Sequence, residues 1–373
     1  MNGRRLEVEG WVKAQGQRLV NGRGEDLILR GPGLGSWLLP EGYMWKLPEG
    51  GDRPRRIERM IAELIGQEEA TAFWRTYHDR YTSEEDIRRI AEEGFNSVRV
   101  PFNARMLLEG ERNAQGYSEY ALGLLDRIID WCRQWKLYVI LDMHGAPGGQ
   151  TGANIDDSER DQPELYIDPA YRQAAIDMWR MLAERYRDEW IVAGYDLLNE
   201  PLPDYHGQYH GEAEPLYRDM IRAIREVDDR HLIILEGVHW STDWSIFTEP
   251  LDGNVLYQFH KYWNNRRASR DTSTSGKRGT CRSSWAKAGR TTSTGTRARS
   301  ACSKIMGSAG TFGRGKRWTP SIRRARSRCR RAGTSSGDIW TADRSRRRRR
   351  PAASFGPISM VCLWPPARTV RRW

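Results

Sequence analysis

An amide and a carboxyl group stand side by side at the end of an apolar run in the middle of the chain. The run is Tyr195-Asp196-Leu197-Leu198, and Asn199-Glu200-Pro201 follows it directly. Such a run is typical of a strand buried on both faces, and a proline fits just past a strand because it cannot donate to the ladder. Ligands bind at the carboxyl ends of parallel strands, where Glu200 could act as a general acid. The ordinary alternative is that Glu200 pairs with a basic neighbour or caps a helix.

Polar side chains also close the other predicted strands. The side chains are Arg99, His144, Glu236, His260 and Tyr262. Neither of the two histidines has a partner at the spacing of metal ligands, so a metal site is not expected.

Strands and helices alternate along the first 262 residues. The apolar–polar alternation around Asn21-Gly22 predicts a hairpin that leads into a first strand at residues 27–30. Further strands are predicted at residues 97–102, 138–144, 195–198, 232–237 and 255–262. Helices are predicted at residues 56–81, at 83–94 with Ser83 as N-cap, and around the apolar faces at 125–135, 176–186 and 217–224.

This alternation predicts right-handed βαβ crossovers and an α/β fold with a parallel sheet. A doubly wound sheet would gather its chemistry at one switch point. Polar side chains at the end of nearly every strand instead favour a (β/α)₈ TIM barrel, whose active site lies across the carboxyl face.

The chain divides into two parts of opposite charge near residue 265. Residues 1–265 carry a net charge of −15, whereas residues 266–373 carry +26, with 25 Arg, three Asp and no Glu. The second part is Arg-rich and of low complexity, without apolar periodicity, and this composition predicts disorder. We therefore predict a folded domain over residues 1–265, containing six strands of the barrel, and a basic tail over 266–373 in place of strands seven and eight.

The lack of a recognisable targeting or membrane-spanning segment predicts a soluble protein. The N-terminus has no apolar h-region, and no segment approaches the roughly 18–20 apolar residues that a membrane span needs. Cytoplasmic localisation is the expectation, with secretion still open. Cys132 stands at an apolar position of a predicted helix, which is typical of a buried free thiol.

Four short motifs, in order and at barrel spacing, resemble the signatures of glycoside hydrolase family 5, the cellulase family of retaining (β/α)₈ glycosidases. A fifth segment, Leu34-Gly35-Ser36-Trp37-Leu38, is similar as well, and the resemblance covers residues 27 to about 265. The four motifs are Val98-Arg99-Val100-Pro101, Asp142-Met143-His144-Gly145, Leu198-Asn199-Glu200-Pro201 and Phe259-His260-Lys261-Tyr262.

The resemblance implies a role for each matched residue. Glu200 would be the acid/base that protonates the leaving oxygen, and Asn199 would hold the sugar 2-hydroxyl. Arg99 would hold and help ionise the nucleophile, since a guanidinium suits a carboxylate. Its ordinary alternative is a structural salt bridge.

Four aromatic or imidazole side chains would complete the site. His144 and His260 resemble the family's histidines that orient sugar and carboxylate. Tyr262 would hydrogen-bond to the nucleophile. Trp240 would stack on a sugar ring, and its alternative is a place in the core. The implied substrate is a β-linked glucan or oligosaccharide, cleaved by endo or exo action, with no cofactor, no membrane and no nucleic acid.

The family's second glutamate, the nucleophile, is missing, as is its tryptophan after strand eight. Retaining hydrolysis requires two carboxyl groups roughly 5–5.5 Å apart. A shifted reading frame permits both missing elements: its codons are compatible with Gly-Glu across Trp285, Ala286 and Lys287, and with Trp-Asn-Phe-Trp-Pro-Trp near residues 309–319. The direction of the frame shift corresponds to one base lost, or two gained, near codons 265–266.

The sequence as it stands therefore predicts an inactive chain that folds poorly, with an unpaired edge on its sixth strand. Two alternatives stay open. One is a sugar-binding pseudoenzyme. The other is a glycosidase-like body with a real basic tail, including Arg346–Arg350, that binds nucleic acid through phosphates.

Overall fold

The computed structural model describes residues 7–47, 52–261 and 358–362. It begins with a small antiparallel sheet of three strands, β1 (Lys13–Gln15), β2 (Arg18–Val20) and β3 (Asp26–Leu27). Asn21 starts the turn between β2 and β3, because its side-chain oxygen accepts the backbone N–H of Glu25 across 3.0 Å. The predicted hairpin is confirmed.

The predicted first strand of the parallel sheet, residues 27–30, is wrong in position. Its first residue belongs to β3, and the segment that runs beside the parallel sheet comes later, where Gly33 bridges Arg99 in the parallel sense. Gly31 shows why the backbone can approach so closely: a Cβ there would lie 1.5 Å from the carbonyl oxygen of Ser97. The Gly-rich segment thus serves close packing of two backbones.

Five parallel strands form the main sheet in sequence order. All residues of the first four are buried, as expected for a parallel sheet that is covered on both faces. The third strand ends at Asp196, two residues earlier than predicted, so Asn199 and Glu200 lie in the loop just past it. The strands are β4 (Ser97–Asn103), β5 (Tyr138–Gly145), β6 (Val192–Asp196), β7 (Leu232–Glu236) and β8 (Val255–Lys261).

Helices connect these strands and pack on the outer face of the sheet. The predicted helix over residues 56–81 is two helices, because Gly66 adopts φ 85° and interrupts the first. The predicted N-cap Ser83 is confirmed, in a capping box with Asp86. The helices are α1 (Pro54–Ile65), α2 (Gln67–Tyr81), α3 (Glu84–Glu92), α4 (Ala104–Leu108), α5 (Glu119–Trp135), α6 (Pro169–Tyr186), α7 (His210–Arg225) and the short α8 (Val238–Ser241).

The N-terminal sheet closes the end of the parallel sheet at which the strands begin. Val12 and Leu19 share a buried cluster with inward side chains of β5 to β8, among them Ile140. The hydroxyl of Tyr138 accepts the backbone N–H of Glu9 across 2.9 Å. The polar side chains lie at the opposite end of the sheet, where the strands finish. None of the helices in the described ranges is long and apolar enough to cross a membrane.

A last strand, β9 (Ile358–Cys362), pairs antiparallel with β8 from Tyr257 to Lys261. The expectation of an unpaired edge on the sixth predicted strand is therefore wrong. An exposed edge offers free N–H and C=O groups to any extended segment, and here a segment from the end of the chain takes them. The rest of the predicted basic tail lies outside the described residues.

Candidate active site

Arg99 of β4 lies at the centre of the polar cluster at the carboxyl ends of the strands. Its guanidinium contacts three carboxylates from the next strands: Asp142 at 2.9 Å, Asp196 at 2.8 Å and Glu236 at 3.0 Å. All three carboxylates are fully buried, and Arg99 is 8% exposed. Buried charges require partners of this kind, so the cluster is one electrostatic unit.

The pKa values of two of these carboxyl groups are shifted in opposite directions. Burial raises the pKa of Asp196 well above its ordinary value, and repulsion from Glu236 and Asp142 adds to this against the attraction of Arg99. Burial also raises the pKa of Glu236, but the charge and hydrogen bond of His260 outweigh it and bring the pKa down to about 2. Folding therefore shifts the pKa values of these two neighbouring carboxyl groups in opposite directions.

His144, at the end of β5, lies between an acid and an amide. Its Nδ1 is 2.7 Å from Oδ2 of Asp142, and its Nε2 is 3.3 Å from Nδ2 of Asn199. Burial lowers the pKa of His144, but the charge and hydrogen bond of Asp142 outweigh it and raise the pKa above its ordinary value. Asp142 therefore fixes the orientation of the imidazole ring.

Gln150, in the Gly-rich loop after β5, connects the segments that carry His144 and Asn199. Its side-chain amide donates to the backbone oxygens of His144 at 2.7 Å and Asn199 at 3.0 Å, and its oxygen accepts the N–H of Ala146 at 3.0 Å. The side chain is fully buried. The Gly-rich loop after β5 is thus attached to the loop after β6.

Glu200 contacts residues at the carboxyl ends of β7 and β8. Its Oε1 lies 2.6 Å from Nδ1 of His260, and its backbone N–H donates to Oε2 of Glu236 across 2.8 Å. The backbone of Glu200 adopts φ 43°, a left-handed conformation that is uncommon for a non-glycine residue. Gln258 donates to both Glu236, at 2.7 Å, and Asp196, at 3.0 Å.

Trp240 lies on the left-handed turn that follows β7. His239, Trp240 and Ser241 all have φ between 56° and 57°. The hydroxyl of Ser241 donates to the backbone oxygen of Gln258 at 2.9 Å, which attaches the turn to β8. Trp240 is half-buried. Strained backbone of this kind concentrates at functional sites.

Glu41 brings a further carboxyl group to the same region from the segment before α1. It is 5% exposed. Burial raises its pKa, against the charge of His144 and a hydrogen bond with Tyr43, while repulsion from Glu200 adds to the increase. Tyr43, which forms this hydrogen bond, is 49% exposed.

The structure brings together five side chains that the sequence predicted for the site: Arg99, His144, Asn199, Glu200 and His260. Trp240 lies on the left-handed turn after β7. Tyr262 and the expected nucleophile codon across Ala286 and Lys287 lie outside the described residues. The sequence predicts Glu236 at the end of a strand but gives it no role in the site. The predicted site residues omit four others that lie in or beside the cluster: Glu41, Asp142, Asp196 and Gln258.

A parallel α/β sheet with carboxyl, amide, guanidinium and imidazole groups at its strand ends is the arrangement of a barrel hydrolase. The sequence profile described as Cellulase (glycosyl hydrolase family 5) matches residues 62–306, well over half of the chain. The chain therefore belongs to glycosyl hydrolase family 5, whose members are glycoside hydrolases with the (β/α)₈ barrel fold that the sequence predicted. The match starts within α1 and extends past residue 265.

Similar proteins include enzymes that are named for different activities. A beta-xylosidase of Phanerodontia chrysosporium is 30% identical over 68% of this chain and 52% of its own length. Endoglucanase C of Acetivibrio thermocellus is 30% identical over 51% of this chain and 53% of its own length. A beta-glucanase of Saccharophagus degradans, solved with cellotetraose, is 18% identical, covers 69% of this chain and 63% of that one, and has a TM-score of 0.44. The chain spans about half the length of these two curated relatives.

Proposed function

We propose that the frame-restored form of this chain is a retaining β-glycosidase that acts on β-linked glucans or oligosaccharides, with Glu200 as its acid/base. The observation that carries the proposal is the unequal burial of the carboxyl groups. Asp142, Asp196 and Glu236 are 0% exposed, whereas Glu200 retains 7% exposure just past the end of β6. A general acid must reach the leaving-group oxygen, so exposure favours Glu200 over its buried neighbours.

The neighbours of Glu200 suit the recognition of a sugar at the scissile bond. Arg99 donates to Oδ1 of Asn199 at 3.0 Å, which turns the amide nitrogen of Asn199 to the other side. That nitrogen has a second proton for the sugar 2-hydroxyl, a contact that strengthens in the transition state. His144 supports Asn199, and Trp240 supplies an aromatic surface for a sugar ring.

The second carboxyl group of the reaction is assigned to the shifted reading frame. The printed sequence has no Glu after residue 265, and the three buried carboxylates of the cluster cannot contact a substrate. Codons across Ala286 and Lys287 permit the missing glutamate in the other frame. The chain as printed is then inactive. Resequencing the coding DNA across codons 255–320 tests this assignment. If the DNA encodes the sequence as given, the assignment is wrong.

A hydrolysis assay of matched variants tests the proposal. The frame-restored chain, with one base inserted near codon 265, is compared with the printed chain on aryl β-glucosides, aryl β-xylosides and cello-oligosaccharides. We expect hydrolysis by the restored chain and none by the printed chain. Glu200→Gln in the restored chain should lower the rate on oligosaccharides at least about 100-fold. Glu92→Gln, at a side chain 55% exposed on α3, is the control and should have no effect.

A sugar-binding protein without chemistry is the second candidate. It is favoured by one observation, the presence of the Arg99–Asn199–His144 cluster in a chain whose printed sequence lacks a nucleophile. Binding of cello-oligosaccharides by the printed chain, with no hydrolysis by either chain, would support it. Salt-dependent binding of the printed chain to nucleic acid, with no response to sugars, would instead support a functional basic tail.

A further inference from the structure

Glu236, at the end of β7, has hydrogen-bond partners on both of its carboxylate oxygens. Its Oε1 accepts from Arg99 at 3.0 Å and Gln258 at 2.7 Å, and lies 3.1 Å from Nε2 of His260. Its Oε2 accepts the backbone N–H of Glu200 at 2.8 Å. The side chain is 0% exposed. A carboxylate that is buried and surrounded by donors in this way cannot attack a sugar, so its role must be exerted through its partners.

The first partner is the backbone of Glu200. A non-glycine residue in the left-handed region costs on the order of 1–3 kcal/mol, and it persists only when its surroundings fix it. Glu200 has φ 43°. The bond from its N–H to an ionised carboxylate is charge-assisted and therefore stronger than a neutral one. Glu236 thus stabilises the backbone conformation that presents the proposed acid/base.

The second partner is His260, which connects Glu236 to the side chain of Glu200. The imidazole has Oε1 of Glu236 at 3.1 Å from one nitrogen and Oε1 of Glu200 at 2.6 Å from the other. Two carboxylates on opposite nitrogens favour a ring that is protonated on both. Burial lowers the pKa of His260, but Glu236 and Glu200 outweigh burial and the charge of Arg99, and raise the pKa to about 10. Gln258, 3.1 Å from Nε2, is the neutral neighbour on β8.

We propose that Glu236 is a positioning residue for the acid/base Glu200, which it holds at the backbone directly and at the carboxylate through His260. The inference rests on the proposed glycosidase function for its catalytic meaning, whereas the linkage itself can be measured in the printed chain. Without the charge of Glu236, His260 loses one of the two carboxylates that keep it protonated, and the hydrogen bond from the backbone N–H of Glu200 is no longer charge-assisted.

Histidine titration by NMR tests the linkage without any activity. The chain has seven histidines, so selective labelling of the full-length printed chain gives few signals. In the unmodified chain we expect His260 to stay doubly protonated up to a midpoint of about 10. In Glu236→Gln the midpoint should fall by about 1–3 pH units, because one opposite charge in contact is removed. Asp228→Asn, which removes a buried carboxylate beside His231 at the other end of the strands, should leave His260 unchanged.

A titration midpoint of His260 near 6.5 in the unmodified chain would overturn the proposal, and this measurement needs no variant to fold. An unchanged midpoint in folded Glu236→Gln would overturn it as well. Glu236→Asp, which retains the charge, should keep His260 protonated and serves as the rescue variant.

Kinetics of the frame-restored chain separate positioning from general damage. Loss of acid assistance affects poor leaving groups most. We therefore expect Glu236→Gln to lower kcat on cellobiose-type substrates at least about tenfold more than kcat on 2,4-dinitrophenyl β-glucoside. Equal losses on both substrates would contradict a positioning role. If the restored parent shows no hydrolysis, the proposed function fails, while the titration of His260 still decides the linkage.

Discussion

The guanidinium of Arg99 donates a hydrogen bond to Oδ1 of Asn199 across 3.0 Å. Because Oδ1 is occupied in this way, the amide nitrogen of Asn199 points to His144, whose Nε2 lies 3.3 Å away. Two side chains from β4 and β5 therefore set the orientation of an amide that follows β6. Because Glu200 is the next residue in the sequence, the fixed position of Asn199 also restricts the position of Glu200.

Asn199→Asp tests the role of the amide in sugar recognition. The substitution keeps the shape of the side chain but removes its N–H donors and adds a negative charge beside the three carboxylates. In the frame-restored chain we expect kcat/KM on aryl β-glucosides to fall about 100-fold, since the 2-hydroxyl contact is worth several kcal/mol in the transition state. The matched 2-deoxyglucosides should lose far less. Equal losses on both substrates would show that Asn199 does not contact the 2-hydroxyl.

Arg99→Met tests whether the central cation is required for folding. Removing it leaves Asp142, Asp196 and Glu236 buried without their shared partner. Breaking a buried ion pair by removing one partner costs about 3–5 kcal/mol, and we expect a loss of this size in the free energy of unfolding measured with urea. Arg222→Met is the control, because Arg222 is 71% exposed in its pair with Asp219 and should change stability by less than about 0.5 kcal/mol. Equal, small losses would contradict the account.

Asp228→Asn tests a second buried carboxylate, far from the candidate site. Burial raises the pKa of Asp228, but His231 and Tyr195, which hydrogen-bond to it, contribute to lowering the pKa from 3.8 to about 2. A pKa lowered by folding gives stability that is present above the unfolded value and is lost as pH falls through the folded value. We expect the variant to be about 2 kcal/mol less stable at pH 6.

The difference between Asp228→Asn and the parent should shrink as pH falls from 4 to 2, as measured by denaturation at a series of pH values. Asp130→Asn, at a side chain 64% exposed, is the surface control. A stability difference that does not depend on pH would contradict the lowered pKa.

Gly31→Ala tests the close approach of the N-terminal segment to β4. A methyl group at this position would lie 1.5 Å from the carbonyl oxygen of Ser97, so one of the two backbones must move. We expect a loss of at least about 2 kcal/mol in thermal or urea denaturation. Gly123→Ala is the matched control in α5, where an added Cβ meets no atom within 4 Å, and it should stabilise by about 0.5–1 kcal/mol. A neutral Gly31→Ala would show that the segment is not packed on β4.

The sequence predicted those site residues that close a recognisable strand. His144 and His260 lie at the ends of mostly apolar strands, and Asn199 and Glu200 follow a third. Two of the missed residues could have been found from strand periodicity: Asp142 and Gln258 each stand two positions before one of these histidines, and residues i and i+2 share a face. The pattern therefore contained more of the cluster than the strand ends alone revealed.

Other features depend on contacts that no local pattern specifies. Glu41 lies in an irregular segment about 100 residues before His144 and reaches the site through the fold alone. The left-handed turn at Trp240 involves no glycine, so the composition gives no sign of it. Pairing of β9 with β8 joins segments about 100 residues apart. The first strand lies later in the chain than predicted because the backbone packs closely against β4 at Gly31. A Gly-rich sequence allows such packing but does not specify where it occurs.

The stereochemistry of hydrolysis by the frame-restored chain tests the central claim most directly. Retaining glycosidases use two carboxyl groups in two successive displacements, so the first product keeps its anomeric configuration. The account predicts that proton NMR, recorded in the first minutes after addition of enzyme to a β-glycoside, shows the β-anomer before mutarotation. A first product of α configuration, or an absence of hydrolysis by the restored chain, would contradict it.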